Sequence, residues 1–363
     1  MALEGELQVG LRLAGGRVAA VAIQSTRPDV AHSLLRGRTR AEVVAAVPQI
    51  FALCGRSQAT ASALACDAAA GRLPDADTLA QARRAVAAEV LREAAWHTLL
   101  QWPRWLGEKP QPDALLAARL AGGTMPDADP DKMKAIALAV LGQDAAQWLS
   151  IDTPAALTAW ALAGANASAR FVAHTAAQDA DQPATLPPVP LLPADGHDNW
   201  VGDLAAAAGA SPAFARQPVW HGQPAETGAL ARRQHDPLIQ ALLQGCAGRM
   251  TARVVARLQE LAILLTGRAQ PAVGAMTLPG GAGLAWVENA RGLLLHQAVL
   301  QADRVLAYRI VAPTEWNFHA QGALTQALLH TPAADPAALQ RHAQCLIHCL
   351  DPCVACQVEC SDA

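Results

Sequence analysis

Residues 344–363 read QCLIHCLDPCVACQVECSDA, and this tail holds five of the chain's eight cysteines, Cys345, Cys349, Cys353, Cys356 and Cys360, with His348 among them. Cys353 and Cys356 form a Cys-x-x-Cys behind Asp351-Pro352, a spacing at which two thiolates converge on one metal or one redox bond. A closed tetrahedral soft-metal site takes four ligands, so the tail needs help from elsewhere in the chain. The helical pattern in front of it, roughly Pro336 to Leu350, should stop at Pro352, which cannot continue a helix.

At 363 residues the chain is long enough for one large multilayer domain or two, far above the size at which a core depends on a metal or disulfide staple. Its cysteines are therefore available for chemistry. The 52% apolar fraction is carried by Ala, Leu and Val, with only four Phe and one Tyr, which favours packed helices over an aromatic-rich sandwich. A formal charge of -3 with 16% charged residues excludes the basic surface that nucleic acid requires. The first residues, MALEGELQVGLRL, lack the basic and apolar regions of a secretory signal, and no window has the uniform apolar length of a membrane span. The expectation is a cytoplasmic protein with no membrane partner and reduced cysteines.

Residues 3–26, LEGELQVGLRLAGGRVAAVAIQST, alternate as two strands joined at Gly15-Gly16. The organisation expected is a single domain over 1–363, with an N-terminal β-hairpin (1–27), a helical region carrying Cys54 (28–181), an irregular connection (182–235) and a second helical region carrying the tail (236–363). Five prolines between 182 and 199 mark the connection. Leu79 to about Leu100 reads as a long helix. Cys54 stands beside Gly55, where the chain can turn sharply and present a thiolate, whereas Cys66 falls on an apolar helical face as an inert core thiol, and Cys246 reads as a small packed residue. Further on, LAWVENA and RVLAYRIVAP are strand-like and flank RGLLLHQAVL, with Gly292 expected close to its neighbours. Arg291 then meets either an anion or a carboxylate such as Glu288. From the residues alone, a zinc knuckle of Cys353 and Cys356 with Cys349, Cys360 or His348 also stays open.

Five segments taken together resemble a known family. DPCVACQVE (351–359) is similar to the closing Asp-Pro-Cys-x-x-Cys-x-x-His motif of the large subunit of nickel-iron hydrogenases. ENARGLLLH (288–296) and IVAPTEWN (310–317) are similar to its Arg-Gly and Val-Pro-Thr-Thr-Trp-Asn segments, and HSLLRGR (32–38) with FALCGRSQATA (51–61) resemble its N-terminal motifs. They occur in family order from end to end, and the likeness is greatest to the large-subunit-like maturation proteins of the HupK/HoxV family. The resemblance implies a mostly α (α+β) fold of the hydrogenase large-subunit type, with a small N-terminal β-sheet and short C-terminal strands. It also implies that the two chain ends lie side by side around one buried site.

The departures from the enzyme pattern are specific. Cys54, Cys353 and Cys356 match three of the four metal-binding cysteines, but Ser57 stands where the N-terminal bridging cysteine belongs, and a neutral hydroxyl is a poor soft-metal ligand. His32 replaces a glutamate, Ala52 an arginine and Ala61 a histidine; Glu359 replaces the closing histidine, and only four residues follow it, so the peptide removed by a maturation protease is expected to be missing. The resemblance thus implies a non-enzymatic maturation factor. It would carry the iron-dicyanide-carbonyl fragment transiently, without nickel, on Cys353 and Cys356 with Cys54 as an auxiliary thiol. Arg291 and Thr314 would serve the cyanide side, with backbone groups at Ala290 and Pro313. The partners implied are an assembly complex of HypC/HypD type and the hydrogenase large-subunit precursor. A metal-free docking module and a divergent hydrogenase using Ser57 or Cys360 are the competing readings.

Overall fold

The computed structural model describes residues 5–26, 30–112, 130–181, 186–193, 200–245 and 249–362. Cys246 lies outside the described residues, as does the side chain of His32. The chain forms two compact units, one of residues 1–83, 184–231 and 272–363, the other of 84–183 and 232–271.

The first unit carries both sheets and both cysteine motifs. Strands β1 (Glu6–Ala14) and β2 (Arg17–Ser25) form the hairpin expected at Gly15-Gly16, whose φ values of 57° and 70° suit glycine. The tail adds a strand that local pattern did not announce. Ala355–Asp362 pairs parallel with β1, Cys356 opposite Leu7 and Cys360 opposite Leu11, in the order β2, β1, tail strand. The two ends of the chain therefore lie side by side.

The second sheet is an antiparallel meander of β3 (Val273–Leu278), β4 (Ala282–Asn289), β5 (Gly292–Gln301) and β6 (Arg304–Val311); the tail strand is β7. The region 236–363 is thus not simply helical, because RGLLLHQAVL is itself the strand β5. Its continuous apolar run reflects cover on both faces. Leu284, Leu293, Leu295 and Val311 pack with Trp200, Leu204, Phe214 and Trp316 on one side. The helix Gly55–Ala69 lies on the other, so close to β4 that a Cβ on Gly283 would run into the backbone of Ala65, Ala68 and Ala69.

The last helix, Pro336–Leu350, has the expected limits. Asp335 accepts a hydrogen bond from Ala337 N with Pro336 in the first turn, and Asp351 closes the helix in the left-handed region at φ 54°. The segment 182–235, expected to be irregular, contains the helix Trp200–Ala210.

The other unit is helical. Its helices Pro130–Leu141, Pro154–Ala163, Ala167–Asp181, Pro237–Gly245 and Met250–Leu265 bury stacked Trp102 and Phe171, 4.7 Å between ring centres. Asp179 accepts from the N–H groups of Met250 and Thr251, satisfying donors that open the last of these helices. Among the described residues no helix is long and apolar enough to cross a membrane.

Candidate cofactor-fragment site

Arg291 sits on the two-residue connection Ala290-Arg291 between β4 and β5. The side-chain oxygen of Asn289 accepts from the backbone N–H of Arg291 (2.9 Å) and of Gly292 (3.1 Å), fixing the turn. The segment around Thr227 closes over it: Thr227 Oγ1 accepts from Leu293 N at 2.9 Å, and Asn317 Oδ1 accepts from Thr227 N at 2.9 Å. Gly292 is required here, since its φ is 133° and a Cβ would stand 2.5 Å from Thr227 Cγ2 and 2.8 Å from Gly228 N.

One partner of Arg291 is a buried carboxylate of the tail. Arg291 Nε lies 3.5 Å from Asp351 Oδ2, with the two side chains 6% and 8% exposed. The aspartate of the Asp-Pro-Cys motif thus lies against the guanidinium. Asn289 Nδ2, on a side chain 2% exposed, has no hydrogen-bond partner.

Thr314 opens the short helix Pro313–Asn317, and its Oγ1 accepts the backbone N–H of Cys353 at 3.2 Å. A hydroxyl that accepts one N–H keeps its own proton to donate. Pro313 has no N–H, so its backbone offers a carbonyl but no hydrogen-bond donor. Three segments far apart in sequence, the Arg-Gly turn, the Thr314 helix and the cysteine tail, thereby meet within the first unit.

The thiols differ. Cys353 is buried and held at Thr314 through its backbone. Cys356 is half-buried on β7, and burial pushes its thiol up to about 11. Cys54 is buried at the start of the helix Gly55–Ala69, whose dipole favours a thiolate, and Gln58 Nε2 donates to its sulfur at 3.6 Å. Ser57 is fully buried on the same helix, and Cys66 is the inert core thiol expected, raised to about 11 by burial. The seven described cysteines are all thiols. Among the described residues no group of three or more His, Cys, Asp and Glu side chains is gathered as if for a metal ion. Cys360 lies four residues beyond Cys356 on the same strand, ~13 Å along it at the rise of a β-strand, too far for both to hold one ion.

Residues 243–359 match the family model described as nickel-dependent hydrogenase. The chain is 32% identical to the hydrogenase expression/formation protein HoxV of Cupriavidus necator, over 93% of this chain and 92% of that protein. It belongs to the HupK/HoxV family. To HupK of Rhizobium leguminosarum bv. viciae it is 33% identical, over 99% of this chain and 97% of that one. The HupK/HoxV fold is in turn that of a hydrogenase large subunit. The reduced, active Ni-Fe-Se hydrogenase of Desulfomicrobium baculatum superposes with a TM-score of 0.59 at 15% identity, covering 94% of this chain and 95% of that one. The reduced enzyme of Desulfovibrio vulgaris Hildenborough gives 0.55 at 18% identity, with 94% of each covered. The mostly α (α+β) architecture with two small sheets agrees with the expected class. Sequence reasoning missed Asn289, Thr227 and Gln58; Thr227 carries no motif, while Asn289 and Gln58 lie inside the quoted segments ENARGLLLH and FALCGRSQATA without being singled out.

Proposed function

We propose that this chain is a non-catalytic cytoplasmic factor of hydrogenase maturation that holds the iron-dicyanide-carbonyl fragment before it passes to the large-subunit precursor. The observation that carries the reading is the bond from the Cys353 N–H to Thr314 Oγ1, which sets the Cys-x-x-Cys segment beside that hydroxyl. Cys353 and Cys356 would supply thiolates to iron, which would draw the proton from Cys356 on binding. Arg291, Thr314 and the unsatisfied amide of Asn289 would donate to the cyanide nitrogens, with Ala290 and Pro313 lining the pocket. Ser57, in place of a fourth thiolate, would leave nickel without a closed ligand set and let the fragment depart. Relatives named hydrogenase expression/formation proteins support the maturation role. The donor would be a HypC/HypD-type assembly complex.

Infrared spectra of protein co-produced with that machinery and purified without oxygen should show cyanide and carbonyl stretches. Spectra without them would sink the carrier role. A second reading, a docking module that binds maturation proteins without metal, draws on the absence of a gathered three-ligand group among the described residues. The double variant Cys353→Ala/Cys356→Ala separates the two: a docking module keeps its maturation activity and a carrier loses it.

A further inference from the structure

The strip where the helix Val30–Leu35 meets the start of β6 is exposed, apolar and cationic. The chain after that helix is zipped to β6: Thr39 stands opposite Arg304, Gly37 N donates to Val305 O at 2.7 Å, and Val305 N donates to Arg38 O at 2.9 Å. Arg38 Nε donates to Leu34 O at 2.6 Å, and Arg304 Nη1 donates to Gly37 O at 2.8 Å. These bonds hold Leu34, Arg36, Arg38, Arg304 and Leu306 in one small region of the first unit. Arg304 and Leu306, two apart on β6, share a face of the sheet.

Leu34 is 41% exposed and Leu306 45%. Single exposed leucines are ordinary; the setting of these two is not. Among the described residues Arg36, Arg38 and Arg304 form no ion pair, whereas Arg40 and Arg72 close on Asp67 at 2.6 and 2.7 Å. Glu42 accepts the Thr39 N–H and hydroxyl, and those bonds, with Arg38 and Arg304 acting after them, hold its carboxyl below the usual range. Among the described residues of the strip, Glu42, Asp67 and Asp303 leave these arginines in excess, on a chain whose formal charge is -3. Covering the leucines while neutralising the arginines takes a partner that is apolar and negative together. A second copy joined through the same strip would set arginine against arginine, and a nucleic acid would leave the leucines in water.

We propose that this strip docks an acidic segment of a partner protein, an apolar side chain of that segment resting on Leu34 and Leu306 and its carboxylates on Arg36, Arg38 and Arg304. A guanidinium receives a carboxylate through two parallel N–H bonds. Arg38 and Arg304 each spend an N–H on a backbone carbonyl, which steadies the side chain and leaves the other donors to the partner. The contacts are solvent-exposed, so the affinity is modest and falls with salt. The docking is independent of the carrier reading.

Fluorescence anisotropy of a labelled synthetic peptide of alternating Glu and Leu, titrated with the full chain, tests this. Binding should weaken as salt rises. Arg36→Glu with Arg304→Glu should lower the affinity about tenfold, since exposed attractions are lost and repulsions gained. Leu306→Ser should lower it about threefold, and Leu162→Ser, at a 74% exposed leucine of the other unit, should leave it unchanged. The proposal is overturned if the wild-type chain does not bind the acidic peptide, or if the matched Lys-Leu peptide binds as well. It is also overturned if a single-stranded oligonucleotide competes with the peptide and Leu306→Ser weakens neither. If the double variant does not fold, Arg36→Glu alone decides, and an unchanged affinity overturns the proposal.

Discussion

Arg291 and Asp351 form a buried ion pair, Nε to Oδ2 at 3.5 Å, that ties the β4–β5 turn to the start of the cysteine tail. Asp351 is also the residue whose left-handed backbone, φ 54°, ends the last helix. One residue therefore stops the helix, turns the chain toward Cys353 and neutralises the arginine beside the site.

Asp351→Asn keeps a side chain that tolerates the left-handed region and removes the charge. Breaking one half of a buried ion pair costs up to about 3–5 kcal/mol, and chemical denaturation of the variant should show a loss in that direction. A change within a few tenths would mean that the pair is solvated in solution.

Gly292→Ala should be more harmful than its size suggests. The φ of 133° and the 2.5 Å approach to Thr227 Cγ2 combine backbone strain with a clash, for a loss of about 3 kcal/mol or more. Thermal unfolding checks the loss, and Thr227→Ser, which removes the clashing methyl but keeps the hydroxyl, should recover part of it in the double variant.

Gly283→Ala acts farther along the same sheet. The added methyl meets helix backbone rather than a flexible side chain, so ~1–3 kcal/mol of overpacking is expected. Because the helix would lift, the 2.9 Å contact between Gln58 Oε1 and His296 Nε2 should lengthen, and the signature is a changed His296 nitrogen spectrum with the fold retained.

Stability should fall in mild acid. Burial depresses His296 to about 3 and His342 to about 4 in the folded chain, while the unfolded chain takes up these protons near pH 6.5. The unfolded state thus binds more protons below that pH, so the stability present above about pH 6.5 is progressively lost as pH falls toward the folded values. Denaturation midpoints at pH 7.5 and pH 5 should differ in that direction. Buried Cys66, raised to about 11, predicts the opposite edge: its contribution, whole below about pH 9, is lost as pH climbs toward 11.

Cys360→Ala should leave fragment loading intact, since β7 sets Cys360 ~13 Å from Cys356. Cys356→Ala should abolish it. Iron content and infrared intensity of the two variants decide, and equal loss in both would contradict a site built on Cys356 without Cys360.

The sequence by itself determined the elements whose signals are local. Glycines at 15 and 16 marked the first hairpin, Asp335 and Pro336 opened the last helix, and Pro352 lay just past its end. The ordered motifs at both ends of the chain identified the fold class. Tertiary structure alone decided the pairing of β7 with β1, the Arg291–Asp351 pair and the reach of Gln58 to His296. Capping and turn chemistry act between residues a few positions apart and so leave a spacing to read. A parallel strand pair or a buried charge contact joins distant segments, and its partner is set by how helix and sheet stack. β5 shows the limit plainly: buried on both faces, it lost the alternation that would have named it a strand.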